Sequence, residues 1–230
     1  MLVFIKEKQY DMINRIYLIN YMVEDVYIMK KRIFSFLIAL SIFFYIDGTV
    51  SAMTTENMKN NIFTDVSEDA YYYNAVTWSS QKGIALGVNT DIFDPDRVCS
   101  IADTLTFLWR ANGAPEPTIK NPFKDIIQDD YYYKAALWAF EKELISGNIF
   151  TASNICTRGQ VMLLFYLLAG SPQTELVKFD DIAMDSVYLR AVSWAVNQKI
   201  AYGKTQRTFA PDEICTRGDV IVFVYKAQHN

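Results

Sequence analysis

The hexapeptide Ile155-Cys156-Thr157-Arg158-Gly159-Gln160 returns as Ile214-Cys215-Thr216-Arg217-Gly218-Asp219 and, degraded, as Val98-Cys99-Ser100-Ile101-Ala102-Asp103. A chain built this way must fold as three versions of one unit, each stabilised by its neighbours. Every copy sets Ser or Thr three residues ahead of Asp or Gln and in front of an apolar run, the pattern of a helix N-terminus closed by a capping box. Ser100, Thr157 and Thr216 are therefore expected to cap helices, with Asp103, Gln160 and Asp219 reaching back to the cap. The cysteine falls one residue before the cap, where it can staple onto Thr104, Val161 or Val220 in the first turn. Arg158 and Arg217 are harder to place. They occupy the first helical position, where the positive end of the helix dipole disfavours a cation. Either they are solvated charges at a helix start, or each joins the free N–H groups beside it to make an anion site.

The period extends well past the hexapeptide. Phe63-Thr64-Asp65-Val66, Phe123-Lys124-Asp125-Ile126 and Phe179-Asp180-Asp181-Ile182 open the units, and Trp78, Trp138 and Trp194 follow at one constant spacing. Gly87, Gly147 and Gly203 come next and are expected to stop a helix or make a turn. Phe93, Phe150 and Phe209 then stand six residues before each cysteine. Each unit thus predicts a first helix around the tryptophan, a loop, and a second helix from the capping box. The second helices, as in Val161-Met162-Leu163-Leu164-Phe165-Tyr166-Leu167-Leu168, are apolar almost all round and must be buried on several sides. One unit cannot do this alone, so an all-α fold is expected in which three helix-loop-helix units share a core, as a closed bundle or a short stack. The units span 62–117, 121–174 and 177–228, jointed at Gly113-Ala114-Pro115-Glu116-Pro117 and Gly170-Ser171-Pro172.

The front of the chain has a different character. Met29-Lys30-Lys31-Arg32 is a basic start, Ile33 to Ile46 an apolar run, and Val50-Ser51-Ala52 a small-residue cleavage site, so residues 29–52 read as a signal peptide cut after Ala52. The alternative is an uncut membrane anchor, for which the run is short. Residues 1–28 are expected to be a non-native extension upstream of a start at Met29, and 53–61 a linker. With 51% hydrophobic and 21% charged residues the chain is globular in composition. Its formal net charge of −4 argues against a nucleic-acid partner, which would need a basic face.

Chemistry is sparse. His229 is the single histidine, so Ser-His-Asp and Cys-His catalysis and histidine-rich metal sites lack material. We expect no catalytic residues, no metal and no cofactor. Paired carboxylates could serve a glycosidase, but none stands out from the repeat. A calcium site at Asp91, Asp94 and Asp96 is not reproduced in the other units. The repetition of Cys99, Cys156 and Cys215 favours packing over a disulfide, the equivalent sites being expected to lie too far apart to bridge.

The ordered set of Phe-x-Asp-Val/Ile, Ala-Val-x-Trp, glycine, Phe-x-Pro-Asp and Thr-Arg-Gly-Gln/Asp resembles the S-layer homology family, in three copies over residues 62–228. The family's Thr-Arg-Ala-Glu signature stands here as Thr157-Arg158-Gly159-Gln160 and Thr216-Arg217-Gly218-Asp219. The resemblance implies a pseudo-threefold bundle whose grooves hold secondary cell wall polysaccharide, often ending in a pyruvylated sugar, and hence noncovalent attachment at the cell wall of a bacterium after secretion, with no membrane partner once the signal is cleaved. On this reading Arg158 and Arg217, with Gly159 and Gly218 beside them, grip the ketal carboxylate. Asp65, Asp125 and Asp181 either bond sugar hydroxyls or make turns, and Trp78, Trp138 and Trp194 either line a groove or fill the core. Ile101 can neither pair with a carboxylate nor donate a hydrogen bond, so one groove should be weak. The rivals are a self-associating surface-layer component or adaptor, partnered by other surface proteins without direct glycan binding, and a wall-active glycosidase.

Overall fold

The computed structural model describes residues 63–229. The signal peptide, linker and upstream extension expected from the sequence lie outside the described residues. Among the described residues six helices follow in order: α1 Tyr73–Gln81, α2 Ile101–Ala111, α3 Tyr133–Glu141, α4 Arg158–Leu168, α5 Leu189–Asn197 and α6 Arg217–His229. Among the described residues the only β pairing is in isolated bridges, and no helix is long and apolar enough to cross a membrane.

The second helix of each repeat starts on its capping box. Ser100, Thr157 and Thr216 accept from the N–H groups of Asp103, Gln160 and Asp219, whose side chains accept from the cap N–H groups in return. The first helices have no side-chain cap and end differently from expectation. The left-handed stop falls on Gly83, Glu143 and Lys199, at φ 67°, 58° and 59°. At α1, Gly83 N–H bonds Ser80 O and Ile84 N–H bonds Ser79 O, and the other two helices repeat the arrangement. Gly87 and Gly203 are glycine for another reason: a Cβ there would stand 2.4 Å from a loop carbonyl and under 3 Å from the Phe63 or Phe179 ring. Of the three glycines expected to stop these helices, Gly87, Gly147 and Gly203, only Gly147 has a positive φ, at 98°.

The helices pair between repeats. α1 packs on α6, α3 on α2 and α5 on α4, so each first helix lies against the second helix of the preceding repeat, and repeat 1 closes the ring on repeat 3. The hexapeptides tie the same ring at its centre. Cys99 N–H bonds Cys215 O at 2.9 Å, Cys156 N–H bonds Cys99 O at 3.1 Å, and Cys215 N–H bonds Cys156 O at 3.0 Å. Around this triangle Val98 bridges Thr216, Ser100 bridges Ile155 and Thr157 bridges Ile214. The three cysteines are buried free thiols, as a packing role implies, but distance is not the reason: closure of the bundle brings their backbones together at the pseudo-threefold axis, which corrects the expected separation. Leu105, Leu108, Met162, Val161, Ile221 and Val224 of the second helices fill the shared core completely out of solvent.

Candidate functional site

Asp65, Asp125 and Asp181 are committed to their own repeats. The Asp65 carboxylate accepts from Phe93 N–H at 2.9 Å and Asp94 N–H at 2.7 Å. Asp125 takes Phe150 and Thr151 in the same way, and Asp181 takes Phe209 and Ala210. The second amide of each pair belongs to a left-handed residue, Asp94, Thr151 or Ala210, at φ between 51° and 61°. Each carboxylate thus holds a non-glycine residue in a conformation it would otherwise leave. For Asp125, the Phe150 and Thr151 amides hold its pKa below the ordinary carboxylate value.

The arginines are not solvated charges at a helix start. Arg158 is 7% exposed and Arg217 3%. Arg217 donates from Nε to Phe93 O at 3.1 Å and from an Nη to Leu86 O at 2.9 Å, and its guanidinium lies over the rings of Phe93 and Phe107. Arg158 repeats this on Phe209 O and Tyr202 O, over Phe209 and Phe223. Each arginine therefore reaches from its own capping box into the Gly-Phe loop of the next repeat around the ring. That explains a cation at a helix start: its partners are carbonyls of another unit, which offset the unfavourable dipole. Burial pulls Arg217 below the ordinary arginine value, with Asp103 acting the other way.

Gly159 and Gly218 hold the same joint close. A Cβ on Gly159 would stand 2.9 Å from the Tyr188 ring and 3.1 Å from Pro211 O, and one on Gly218 would meet Tyr72 at 2.9 Å. Their N–H groups bond Pro211 O at 2.8 Å and Pro95 O at 2.9 Å. Ala102 occupies the third such position, and its bond to Ala152 O is longer, at 3.3 Å. The tryptophans lie elsewhere. Trp138 is core at 2% exposure, Trp78 packs edge-on against Tyr225 and His229, and Trp194 borders a cavity of about 260 Å³ with Phe165, Leu168 and Val224. None of the three lines the arginine groove.

Between repeats 3 and 1 that groove opens as a cavity of about 620 Å³, lined by Leu86, Gly87, Arg97, Asp103, Arg110, Tyr131 and Arg217 among others. Asp103 is its buried anion: Arg97 stands 3.3 Å from it, Arg217 3.7 Å, and Tyr131 donates its hydroxyl at 3.0 Å. Burial, then the charge of Asp103, pushes the Tyr131 phenol up to about 12. The groove between repeats 2 and 3 follows the same plan, with Arg158 on the loop, Tyr71 donating to Asp219 at 2.7 Å, and Lys226 4.7 Å over the Tyr202 ring. The third groove, between repeats 1 and 2, holds Ile101 against Phe123, Ile145, Ser146, Ile149 and Phe150 around about 220 Å³.

Reading the sequence singled out the loop arginines and the capping carboxylates but missed Arg110 and Lys226 as groove residues. Carrying the register seven residues past the capping acid would have aligned Arg110 with Leu167 and Lys226. The third groove would then have stood out as uncharged twice over.

The S-layer homology domain model matches residues 62–100 and 178–221. These segments fall in the first and third repeats and include Asp65, Trp78 and Cys99 of one and Asp181, Trp194, Arg217 and Gly218 of the other. S-layer homology domains as a family are cell-wall anchoring modules of a non-enzymatic kind. No curated protein matches the chain.

Proposed function

We propose that this chain anchors noncovalently to a bacterial cell wall by holding an acidic wall polysaccharide in two of the three grooves between its repeats, the terminal sugar being a pyruvate ketal. The observation that carries this reading is the inequality of the grooves. Two carry a buried arginine on loop carbonyls, a second cation and a tyrosine bonded to a carboxylate, one of them opening as the 620 Å³ cavity, and the third replaces the buried arginine with Ile101. A carboxylate on a sugar suits the charged pair, because the ring offers hydroxyls to the loop carbonyls and an apolar face to Tyr202 or Leu86 while the acid meets the positive edge. The signal peptide at 29–52 delivers the chain to the cell surface, and residues 1–28 take no part. Arg158, Arg217, Gly159 and Gly218 form the inter-repeat joint on which the groove depends. Asp65, Asp125 and Asp181 support it by fixing the loops, and the tryptophans contribute through packing.

Cosedimentation with purified wall sacculi tests the reading. The chain should pellet with intact sacculi and stay in solution once the wall polymer has been stripped. Pelleting that survives stripping would mean that some other wall component is bound.

A further inference from the structure

The proposed reading leaves open which side chains meet the acidic group, and the buried arginines are poor candidates. Arg158 and Arg217 each spend Nε and one Nη on loop carbonyls and are almost wholly covered. The charges can be balanced groove by groove. Between repeats 3 and 1, Arg97 and Arg217 lie within 4 Å of Asp103, and Arg97 is also 3.6 Å from Asp94. This leaves Arg110 as the cation in excess; it is half-buried on the same cavity, with one long bond of 3.4 Å to Ile84 O. Between repeats 2 and 3, Lys204 pairs with Glu213 at 2.6 Å. Asp219 is held by Thr216 and Tyr71. The excess cation there is Lys226, half-buried over Tyr202, the residue whose carbonyl Arg158 holds. Among the described residues Lys226 has no carboxylate partner. Its pKa is lowered by burial first and by the neighbouring Arg158 charge second, as expected of a half-buried cation beside another.

Arg110 and Lys226 occupy the same helical position, and the third groove carries Leu167 there. That groove has also exchanged the buried arginine for Ile101, the capping carboxylate for Gln160 and the tyrosine for Val187. Cations, carboxylate and phenol are present together or absent together, which is the behaviour of one site and not of scattered surface charge. We propose, resting on the wall-polysaccharide reading, that Arg110 and Lys226 are the ligand-facing cations that receive the acidic group, while Arg217 and Arg158 are positioning residues that hold the loop for them.

Calorimetric titration of the full chain decides this, using as probe a methyl hexoside with a 4,6-linked pyruvate ketal and, as uncharged control, its methyl ester. The wild type should bind the acid at two sites and the ester at least about tenfold more weakly. Arg110→Gln and Lys226→Gln retain much of the aliphatic stem. Each should remove one site with little change in melting temperature, and the double variant should remove both. Lys226→Arg should keep its site. Undiminished binding by the double variant would overturn the assignment while leaving the groove reading intact. Equal binding of acid and ester, or loss in Lys226→Arg as complete as in Lys226→Gln, would also overturn it, because shape rather than charge would then be recognised. A wild type that binds neither probe nor stripped wall polymer would end both proposals.

Discussion

Replacing Arg217 with leucine tests the claim that the hexapeptide arginine is an inter-repeat tie. The substitution removes two charge-assisted hydrogen bonds, to Phe93 O at 3.1 Å and Leu86 O at 2.9 Å. Each orphaned carbonyl costs about 1 to 2 kcal/mol. The guanidinium also lies 4.8 Å over Phe93 and 5.3 Å over Phe107, stacking worth about 1 kcal/mol in a buried site. Against this, leucine refills part of the space and the burial cost of a cation disappears. Asp103 keeps Arg97 and the Tyr131 hydroxyl, so its charge is not stranded. The balance is a loss of about 3 kcal/mol, within the range for breaking a buried ionic contact. For a folded unit of this size that lowers the melting temperature by about 6 to 12 °C. Urea titration and calorimetry should both report it, with tryptophan fluorescence following the same transition. A midpoint unchanged to within about a degree would refute the tie and return the arginine to a solvated helix start.

Three further outcomes follow from the same geometry. The Phe150 and Thr151 amides depress the Asp125 pKa, so its contribution to stability is present above the ordinary carboxylate pKa of about 4 and lost as pH falls through the lower folded value. The gap in melting temperature between the wild type and Asp125→Asn should therefore close on acidification, and a gap independent of pH would contradict the clamp. Burial pushes the Cys99 thiol up to about 12 and raises Cys156 and Cys215 as well. Iodoacetamide near neutral pH should thus label no thiol in the native chain and all three after denaturation, and rapid native labelling would mean that the axis opens. A chain ending at Pro172 removes the helix packed on α4 and the helix packed on α1. It should be unfolded or aggregated, and a stable monomer would contradict the closed ring.

What the sequence made legible was local. The capping boxes could be read because Ser100 and Asp103, like their counterparts, bond within three residues of each other. The apolar second helices could be read because they have no polar face to spare. The partners of the buried arginine could not, since Leu86 O lies 131 residues from Arg217 in the chain. Nor could the destination of Asp65, whose partners are backbone amides 28 and 29 residues away and carry no side-chain signature. Nor could the pairing of helices: the repeat pattern implied a shared core without saying which helices meet, and the observed pairing of each first helix with the preceding repeat's second helix accompanies the cysteine triangle and the grooves. The stop at Glu143 and Lys199 was hidden because a left-handed cap usually shows itself as glycine, and only Gly83 kept it.

The central claim is that acidic wall polysaccharide enters two grooves and leaves the third empty. Its most direct test is a two-dimensional ¹H–¹⁵N titration of the full chain with polysaccharide released from the wall. The account predicts saturable shifts at the Leu86-Gly87 and Tyr202-Gly203 amides, with the Ser146-Gly147 amides unmoved. Shifts centred on Ile101, Ser146 and Phe150, or on the cavity beside Trp194, would contradict it.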